Sequence, residues 1–512
     1  MHRLDAYLKE TAERIPEKTA LEDPERQASM RYGDLARCAE DVREELLAEG
    51  IAAGDRVGIY APKSIGVVAS IFGILGCGAG YVPVDSLAPA ERGGYIFKDC
   101  GVRAIVVERA LMGGLLQLAG ESFEEVSVLR VPADGDGCDL VLLRSTTRAR
   151  DDFSVDGLAY ILYTSGSTGS PKGVTHTHAS ACSFVEWCSQ TFRPDELDRF
   201  SSHAPFHFDL SILDLYVPIK HGATLVLIGE ESGKQPVRLA EVIAERRLTM
   251  WYSTPSILRL LVEYGRMHDH DHSALRIVNY AGEVFPAKHL RALKAVWPHA
   301  RYFNLYGPTE TNVCTYDQIP EVLGEDWEPP YSIGRTCSND STYVADEAGK
   351  RVAAGEEGEL YVSGGSVMHG YWNAAERTTS AFYVDPSGRR WYKTGDMVRT
   401  APDGDYVFVG RKDRMVKRRG YRIELGEVEA ALYRHPGVKE ACAIAIPDEE
   451  NGVLIKACLS WADGQSVSQI KLKQFSAAHL PLYMIPDRFV FLPDLPKTST
   501  DKIDYQRLLE LV

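Results

Sequence analysis

The 512-residue chain sets 57 Lys and Arg against 72 Asp and Glu, a formal net charge of −15, with 45% apolar and 25% charged residues. That length holds more than one domain with ample core, and so negative a balance excludes a general affinity for nucleic acid or an anionic membrane. The ten cysteines are scattered from Cys38 to Cys458 with no Cys-x-x-Cys pair, a reduced, cytoplasmic pattern with neither zinc site nor disulfide framework.

The opening MHRLDAYLKE has mixed charge and no apolar core, unlike a signal peptide. Residues 4–50 read as helical pieces around a short strand pair, with an amphipathic helix from Asp34 to Leu47 stopped by Gly50. Arg56–Tyr60 reads as a strand, Ser64–Gly76 as a helix and Gly80–Val84 as a strand. The uncharged run Ile65–Val82 approaches the ~18 residues of a membrane span. Its glycines and the following Pro83 favour a core helix running into a strand. Strands at Ala104–Val107, Thr224–Ile228, Thr249–Tyr252, Arg276–Tyr280 and Tyr302–Tyr306 alternate with helices at Val237–Arg247 and Ile257–Tyr264, the signature of parallel α/β layers. Short strands punctuated by Gly, Pro and Asp fill Ser341–Val409 and predict a β-rich subdomain, a small barrel. A basic run follows, with Arg411, Lys412, Arg414, Lys417, Arg418, Arg419 and Arg422, and leads into the amphipathic helix Glu427–Tyr433. It reads as a loop between domains that steers an acidic partner. The last hundred residues form a small α+β domain, with boundaries at 1–411 and 412–512.

Chemistry concentrates at Tyr160–Val174, YILYTSGSTGSPKGV. An apolar strand runs into a Thr/Ser/Gly tract that closes on Lys172. Glycines let the backbone approach a ligand closely and turn its N–H groups inward, so such a loop can wrap polyphosphate. The alternative is a flexible linker. No Gly-Lys-Ser/Thr is present, so it is no Walker A loop, and no Gly-x-Ser-x-Gly makes it a nucleophile elbow.

TSGSTGSPKG (164–173), NLYGPTET (304–311), GELYVSG (358–364), YKTGD (392–396), GRKDRMVKRRGYRIEL (410–425) and LPKTSTDK (495–502) together resemble the core motifs of adenylate-forming enzymes. That superfamily includes nonribosomal-peptide adenylation domains, acyl-CoA synthetases and luciferases. The resemblance covers nearly the whole chain, and no carrier domain is expected to be fused after the last motif. It implies a two-step ligase using ATP and Mg2+. A carboxylate attacks the α-phosphate to give an acyl-adenylate and pyrophosphate, and a thiol then takes the acyl group. Catalysis of that kind is positioning plus cationic stabilisation of the phosphate oxygens. The resemblance places Thr164, Ser165, Gly166, Ser167, Thr168, Gly169 and Lys172 on the phosphate loop. Gly282, Glu283, Asn304, Leu305, Tyr306 and Gly307 fall around the nucleotide, Thr309 against the α-phosphate, and Glu310 as a magnesium ligand. Asp396 and Arg411 grip the ribose, and Lys502 reaches both carboxylate and α-phosphate. Thr500-Asp501 precedes this lysine where the family commonly has Asn-Gly. The family's C-terminal domain rotates between the two steps. Asp413 is the implied hinge, and Gly420 the implied thiolation face.

PFHFDLSILDLY (205–216) bears on the acid. In amino-acid-activating members an aspartate here pairs with the substrate's α-ammonium, and Asp209 occupies that place with His207 as its aromatic gate. A buried carboxylate without its cation is costly and selects for amino acids; a helix-capping Asp is the plainer reading. The implied pocket is Asp209, Leu210, Leu213, Tyr252, Asn279, Ala281, Leu305, Val313 and Cys314, which is mostly apolar and fits a compact amino acid. It resembles that of stand-alone enzymes that load L-proline onto the phosphopantetheine arm of a peptidyl carrier protein. D-alanine loading, an acyl-CoA synthetase and a non-catalytic nucleotide-binding module are the alternatives.

Overall fold

A computed structural model describes residues 3–119, 122–129, 139–146, 155–165, 170–324, 332–412, 414–448, 452–461, 467–497, 503 and 505–511. Lys502, the hinge residue Asp413 and the loop residues Gly166, Ser167, Thr168 and Gly169 lie outside the described residues.

Two sheets dominate residues up to 411. In one, strands Thr224–Leu227, Arg199–Ser202, Met250–Ser253, Ile277–Ala281 and Arg301–Tyr306 run parallel in that spatial order. Their near-complete burial explains the near-continuous apolar runs in the sequence: helices cover both faces, as parallel sheets require. Alternate residues divide between two cores. Trp251, Val278, Tyr280 and Tyr302 pack with Leu239, Leu258 and Leu290 of the helices on one side. Tyr252, Ile277, Ala281, Phe303 and Leu305 pack with Leu210, Leu213 and Phe184 on the other.

The second sheet has eight strands, with Lys172–Thr177 and Leu158–Thr164 antiparallel near one edge and Gly80–Pro83, Arg56–Tyr60 and Ala104–Glu108 parallel in the middle. Helix Ile65–Gly76 is buried around its circumference and is started by Ser64, whose hydroxyl accepts from the Val67 N–H. It is the core helix expected at that run, and among the described residues no helix is long and apolar enough to cross a membrane. Strands Phe123–Leu129 and Leu140–Ser145 extend this sheet antiparallel, elements that the sequence reading passed over.

The β-rich segment is antiparallel and joins the first sheet edge to edge. Ser332–Thr336 pairs with Thr315–Ile319 on one side and Tyr406–Arg411 on the other, and the ladder ends at Asp340–Ala345. Among the described residues no ladder closes that last strand onto Ser332–Thr336.

The C-terminal unit has its own core. Three strands, Val438–Asp448, Gly452–Trp461 and Arg488–Phe491, pack Ala443, Ile455 and Leu459 against Val428 and Leu432 of helix Leu425–Tyr433 and Leu472 of helix Gln469–His479. Ahead of it, Met415–Arg418 and Tyr421–Glu424 form a hairpin. Its two-residue turn has positive φ at both Arg419 (51°) and Gly420 (79°), the turn whose twist matches antiparallel strands. This hairpin projects into the large domain.

The basic run is therefore neither a loop nor a free steering surface. Arg414 pairs with Glu429, Arg418 with Asp487, Arg411 with Asp396 and Arg422 with Glu310. Only Lys412 and Arg419 of the seven are exposed. Those four arginines each face a carboxylate contributed from elsewhere in the chain.

Candidate active site

Strand Leu158–Thr164 turns back so that Thr164 pairs with Lys172, and the lysine points at a buried carboxylate. Its Nζ lies 3.0 Å from Glu310 Oε1 and 3.0 Å from the Tyr371 hydroxyl, which donates to the same oxygen at 2.7 Å. From the C-terminal hairpin, Arg422 donates to both Glu310 oxygens at 3.1 Å. Glu310 is wholly buried. Burial alone would raise its carboxyl, but the Lys172 and Arg422 cations overcome that and hold it well below the usual carboxylate range. Lys172 is lowered to about 8, by burial first and by Arg422 second. Two cations on one carboxylate leave the weaker donor loosely protonated.

Glu310 belongs to a short turn, Thr309–Thr311, anchored from below: the Thr309 carbonyl meets His176 Nε2 at 2.9 Å. Thr309 Oγ1 donates to Asp209 Oδ2 at 2.6 Å. Asp209 faces a small cavity with Leu210, Tyr252, Ala281, Gly307, Thr309 and Val313. Burial raises its carboxyl, opposed by the Thr309 hydroxyl and by Lys417. The aromatic beside it at the cavity is Phe208, stacked on Tyr421 of the hairpin at 5.5 Å. His207 is not among the cavity residues; its Nε2 is buried with no protein hydrogen-bond partner. Leu213 and Cys314 are core residues, and Asn279 is buried to 1% exposure.

A cavity of about 490 Å3 lies alongside, and it gathers Gly282, Glu283, Asn304, Leu305, Tyr306, Asp396 and Arg411. Asp396 pairs with Arg411 at 2.8 Å and accepts from the Tyr306 hydroxyl, while Asn304 Nδ2 donates to the Ser332 carbonyl at 2.9 Å. Of the residues expected about the nucleotide, Gly282, Glu283, Asn304, Leu305, Tyr306, Asp396 and Arg411 line this hollow and Gly307 the neighbouring one; of those expected about the acid, Asp209, Leu210, Tyr252, Ala281 and Val313 line the neighbouring one.

The hairpin closes both. Gly420 donates its N–H to Glu283 Oε1 at 2.8 Å. A methyl on Gly420 would collide with the Thr254 side chain and press on Phe208. Ser165 Oγ donates to the Arg422 carbonyl at 2.7 Å and accepts from the Glu424 N–H at 3.1 Å. Farther out, Arg92 and Glu427 make a nearly buried ion pair between the two units.

Arg422, Lys417, Tyr371 and Phe208 were not singled out from sequence as site residues. The first two lay in the basic run; Tyr371 lies 61 residues from Glu310 on a two-residue strand, Gly370–Tyr371, that pairs with Val174 and Thr175. Nothing local marks it. A magnesium ion at Glu310 does not fit this arrangement, since Arg422, Lys172 and Tyr371 occupy the carboxylate. Among the described residues there is no cluster of three or more His, Cys, Asp or Glu able to hold a metal.

Comparison with known proteins agrees with this geometry. Residues 8–372 match the AMP-binding enzyme family, and residues 427–502 match the AMP-binding enzyme C-terminal domain. An L-proline–[L-prolyl-carrier protein] ligase of Pseudomonas fluorescens is 38% identical over 96% of this chain and 95% of its own, and one of Streptomyces coelicolor is 37% identical over 97% and 95%. Among solved structures, holo-PA1221, an NRPS protein containing adenylation and PCP domains, superposes with a TM-score of 0.80 at 26% identity, covering 99% of this chain and 84% of that one. The amide bond synthetase McbA of Marinactinospora thermotolerans shares the fold alone, at 23% identity and a TM-score of 0.81 over 99% of both chains. With family models matching both units and relatives at 37–38% identity over nearly the whole length, the chain belongs to the AMP-binding enzyme family of the adenylate-forming superfamily.

Proposed function

We propose that this enzyme adenylates a small amino acid, L-proline or a close relative, with ATP and passes it to the phosphopantetheine thiol of a carrier protein. The observation that carries the reading is Asp209: a carboxylate raised by burial, beside Leu210, Tyr252, Ala281 and Val313 in the small cavity, and held by Thr309 at 2.6 Å. A carboxylate so placed is satisfied by a ligand cation, and an α-ammonium supplies one. Plain carboxylic acids do not. The curated relatives named for L-proline support the choice of acid.

In this reading the larger hollow receives AMP, with Asp396 and Arg411 on the ribose and Gly282, Glu283, Asn304 and Tyr306 about the base. Thr309 and Lys172 face the phosphates, and Gly307 lets them approach. Lys502 serves the adenylation step, with the C-terminal unit swung about residue 413. The arrangement described here belongs to the second step: Arg422 neutralises Glu310 from the hairpin, and Gly420 leaves room beside Gly282 for a narrow thiol arm. Glu310 would hold Mg2+ only in a state in which Arg422 has left it, and the ion would there supply positive charge to the phosphates.

The test is ATP–pyrophosphate exchange across the proteinogenic amino acids and D-alanine, with thioester formation on a phosphopantetheinylated carrier and on coenzyme A. Exchange peaking on L-proline or its ring derivatives, and transfer to the carrier over coenzyme A, is the expected result. A peak on D-alanine keeps the mechanism and discards the acid; exchange only with plain acids removes Asp209 from its role.

A further inference from the structure

Asn312 closes the short turn that carries Thr309 and Glu310, and it lines the small cavity with Asp209, Phe184 and Val313. Its backbone sits at φ 53° and ψ −107°, a left-handed conformation that glycine takes freely and other residues take under strain. The kink seats its carbonyl against Gly307, where an added methyl would collide with it. The side chain is 5% exposed. Its amide oxygen accepts from the Tyr160 hydroxyl at 3.4 Å, and the Tyr160 ring is itself stacked on His176. That leaves the amide nitrogen, which is buried without a hydrogen-bond partner in the protein.

A buried donor left unmet is destabilising, so an unmatched amide on a residue of the cavity wall calls for an acceptor on the ligand. Other donors of the lining are committed. Thr309 gives its hydroxyl to Asp209, Arg411 pairs with Asp396 and Arg422 with Glu310. Lys417 extends over the ring of Tyr306 at 5.4 Å, beside the larger hollow. The small amino acid proposed above brings few acceptors. Its α-ammonium only donates and faces Asp209, and a hydrocarbon ring or side chain offers none. What remains is the carboxyl group, of which one oxygen goes to the α-phosphate and the other stays as the acyl carbonyl.

We propose that Asn312 Nδ2 donates to the acyl carbonyl oxygen of the adenylate and holds the oxyanion formed during thioester transfer; this rests on the small amino acid reading above. In that step the thiol sulfur bonds to the acyl carbon and the carbonyl π pair moves onto the oxygen. When the pair returns, the bond from carbon to the AMP oxygen breaks, AMP leaves with its electrons, and the thiol proton passes to water. A fixed neutral donor gains strength as charge grows on that oxygen, so its effect falls mainly on transfer. Tyr160 and the kinked backbone hold the amide in place before the charge appears.

The experiment uses Asn312→Gly in the full chain, because glycine keeps the turn and removes only the amide. Two probes report on it: L-prolyl-sulfamoyladenosine, which retains the acyl carbonyl, and L-prolinol adenylate, in which a CH2 replaces it. Single-turnover transfer from preformed adenylate to pantetheine should fall by about 100-fold. Affinity for the acyl sulfamate should fall by about fivefold, with that for prolinol adenylate kept within about twofold. A transfer loss below about tenfold overturns the proposal, and so does equal weakening of both probes, which is what a purely structural asparagine would give. If the variant does not fold, a crystal structure of the unaltered enzyme with the acyl sulfamate decides: the Nδ2 should reach the acyl oxygen, and a separation beyond about 3.5 Å overturns the proposal. Where exchange selects another amino acid over L-proline, both probes are built on that acid, so an error in the acid and an error at Asn312 are read apart. No exchange with any amino acid overturns the function proposed above together with this inference.

Discussion

Replacing Arg422 by alanine separates the two half-reactions. Arg422 donates to both oxygens of a fully buried carboxylate at 3.1 Å, and it comes from the hairpin, so the contact exists only while the hairpin is docked. Losing one partner of a buried ion pair costs about 3–5 kcal/mol when the other charge is left alone. Here Glu310 keeps Lys172 and Tyr371, so the lower figure for a hydrogen bond to a charged group, about 1.5–3 kcal/mol, applies. At about 1.4 kcal/mol per tenfold, the docked arrangement loses roughly 10- to 100-fold in population. Adenylation, which in this reading uses the undocked arrangement, changes by less than about threefold. Single-turnover pyrophosphate release measures the first step, and transfer of the labelled acyl group to pantetheine the second. Equal losses in both, or none in transfer, would refute the assignment of this contact to thiolation.

Gly420→Ala should reproduce that split by steric means, because the added methyl meets Thr254 in the docked state; transfer that proceeds at the original rate removes the hairpin turn from the thiol's path. Asp209→Asn should lower amino-acid-dependent exchange by about 100-fold or more, and exchange kept within threefold would mean that the carboxylate merely braces Thr309. Acid should weaken the fold through His176, whose ring burial lowers from 6.5 to about 4. The folded state resists protonation that the unfolded chain accepts, so stability is full above pH 6.5 and falls as pH drops towards 4, by up to about 3 kcal/mol from this group. Denaturant midpoints between pH 7 and 4.5 measure it, and a pH slope unchanged in His176→Asn contradicts it.

The parallel layers were legible because their strands are buried on both faces and read as unbroken apolar runs between amphipathic helices. Asp209, Thr309 and the residues expected about the nucleotide were legible through motif order, and most of them line two adjoining hollows. What sequence order hid was pairing at a distance. Arg422 stands 112 positions from Glu310, and a run of seven basic residues looks like a solvated surface until their carboxylate partners are in place. The aromatic at the acid pocket was placed at His207 rather than Phe208, since a one-residue shift at a helix entrance changes which ring faces inward and no period marks it. Asn279 was legible as a polar oddity, and the structure buries it to 1% exposure outside the lining of either hollow.

Ser165 stands at the start of the Ser/Thr/Gly tract, yet its single proton is given to the Arg422 carbonyl and one of its two lone pairs takes the Glu424 N–H. In the proposed cycle that hydroxyl serves either the departing pyrophosphate or the incoming hairpin, never both. By-product departure thus becomes a gate on acyl transfer, which gives the cycle a direction: the thiol meets the adenylate only after the route back to ATP has emptied. Accumulated pyrophosphate would then throttle the enzyme by holding the C-terminal unit away, in competition with the acceptor thiol rather than with the amino acid.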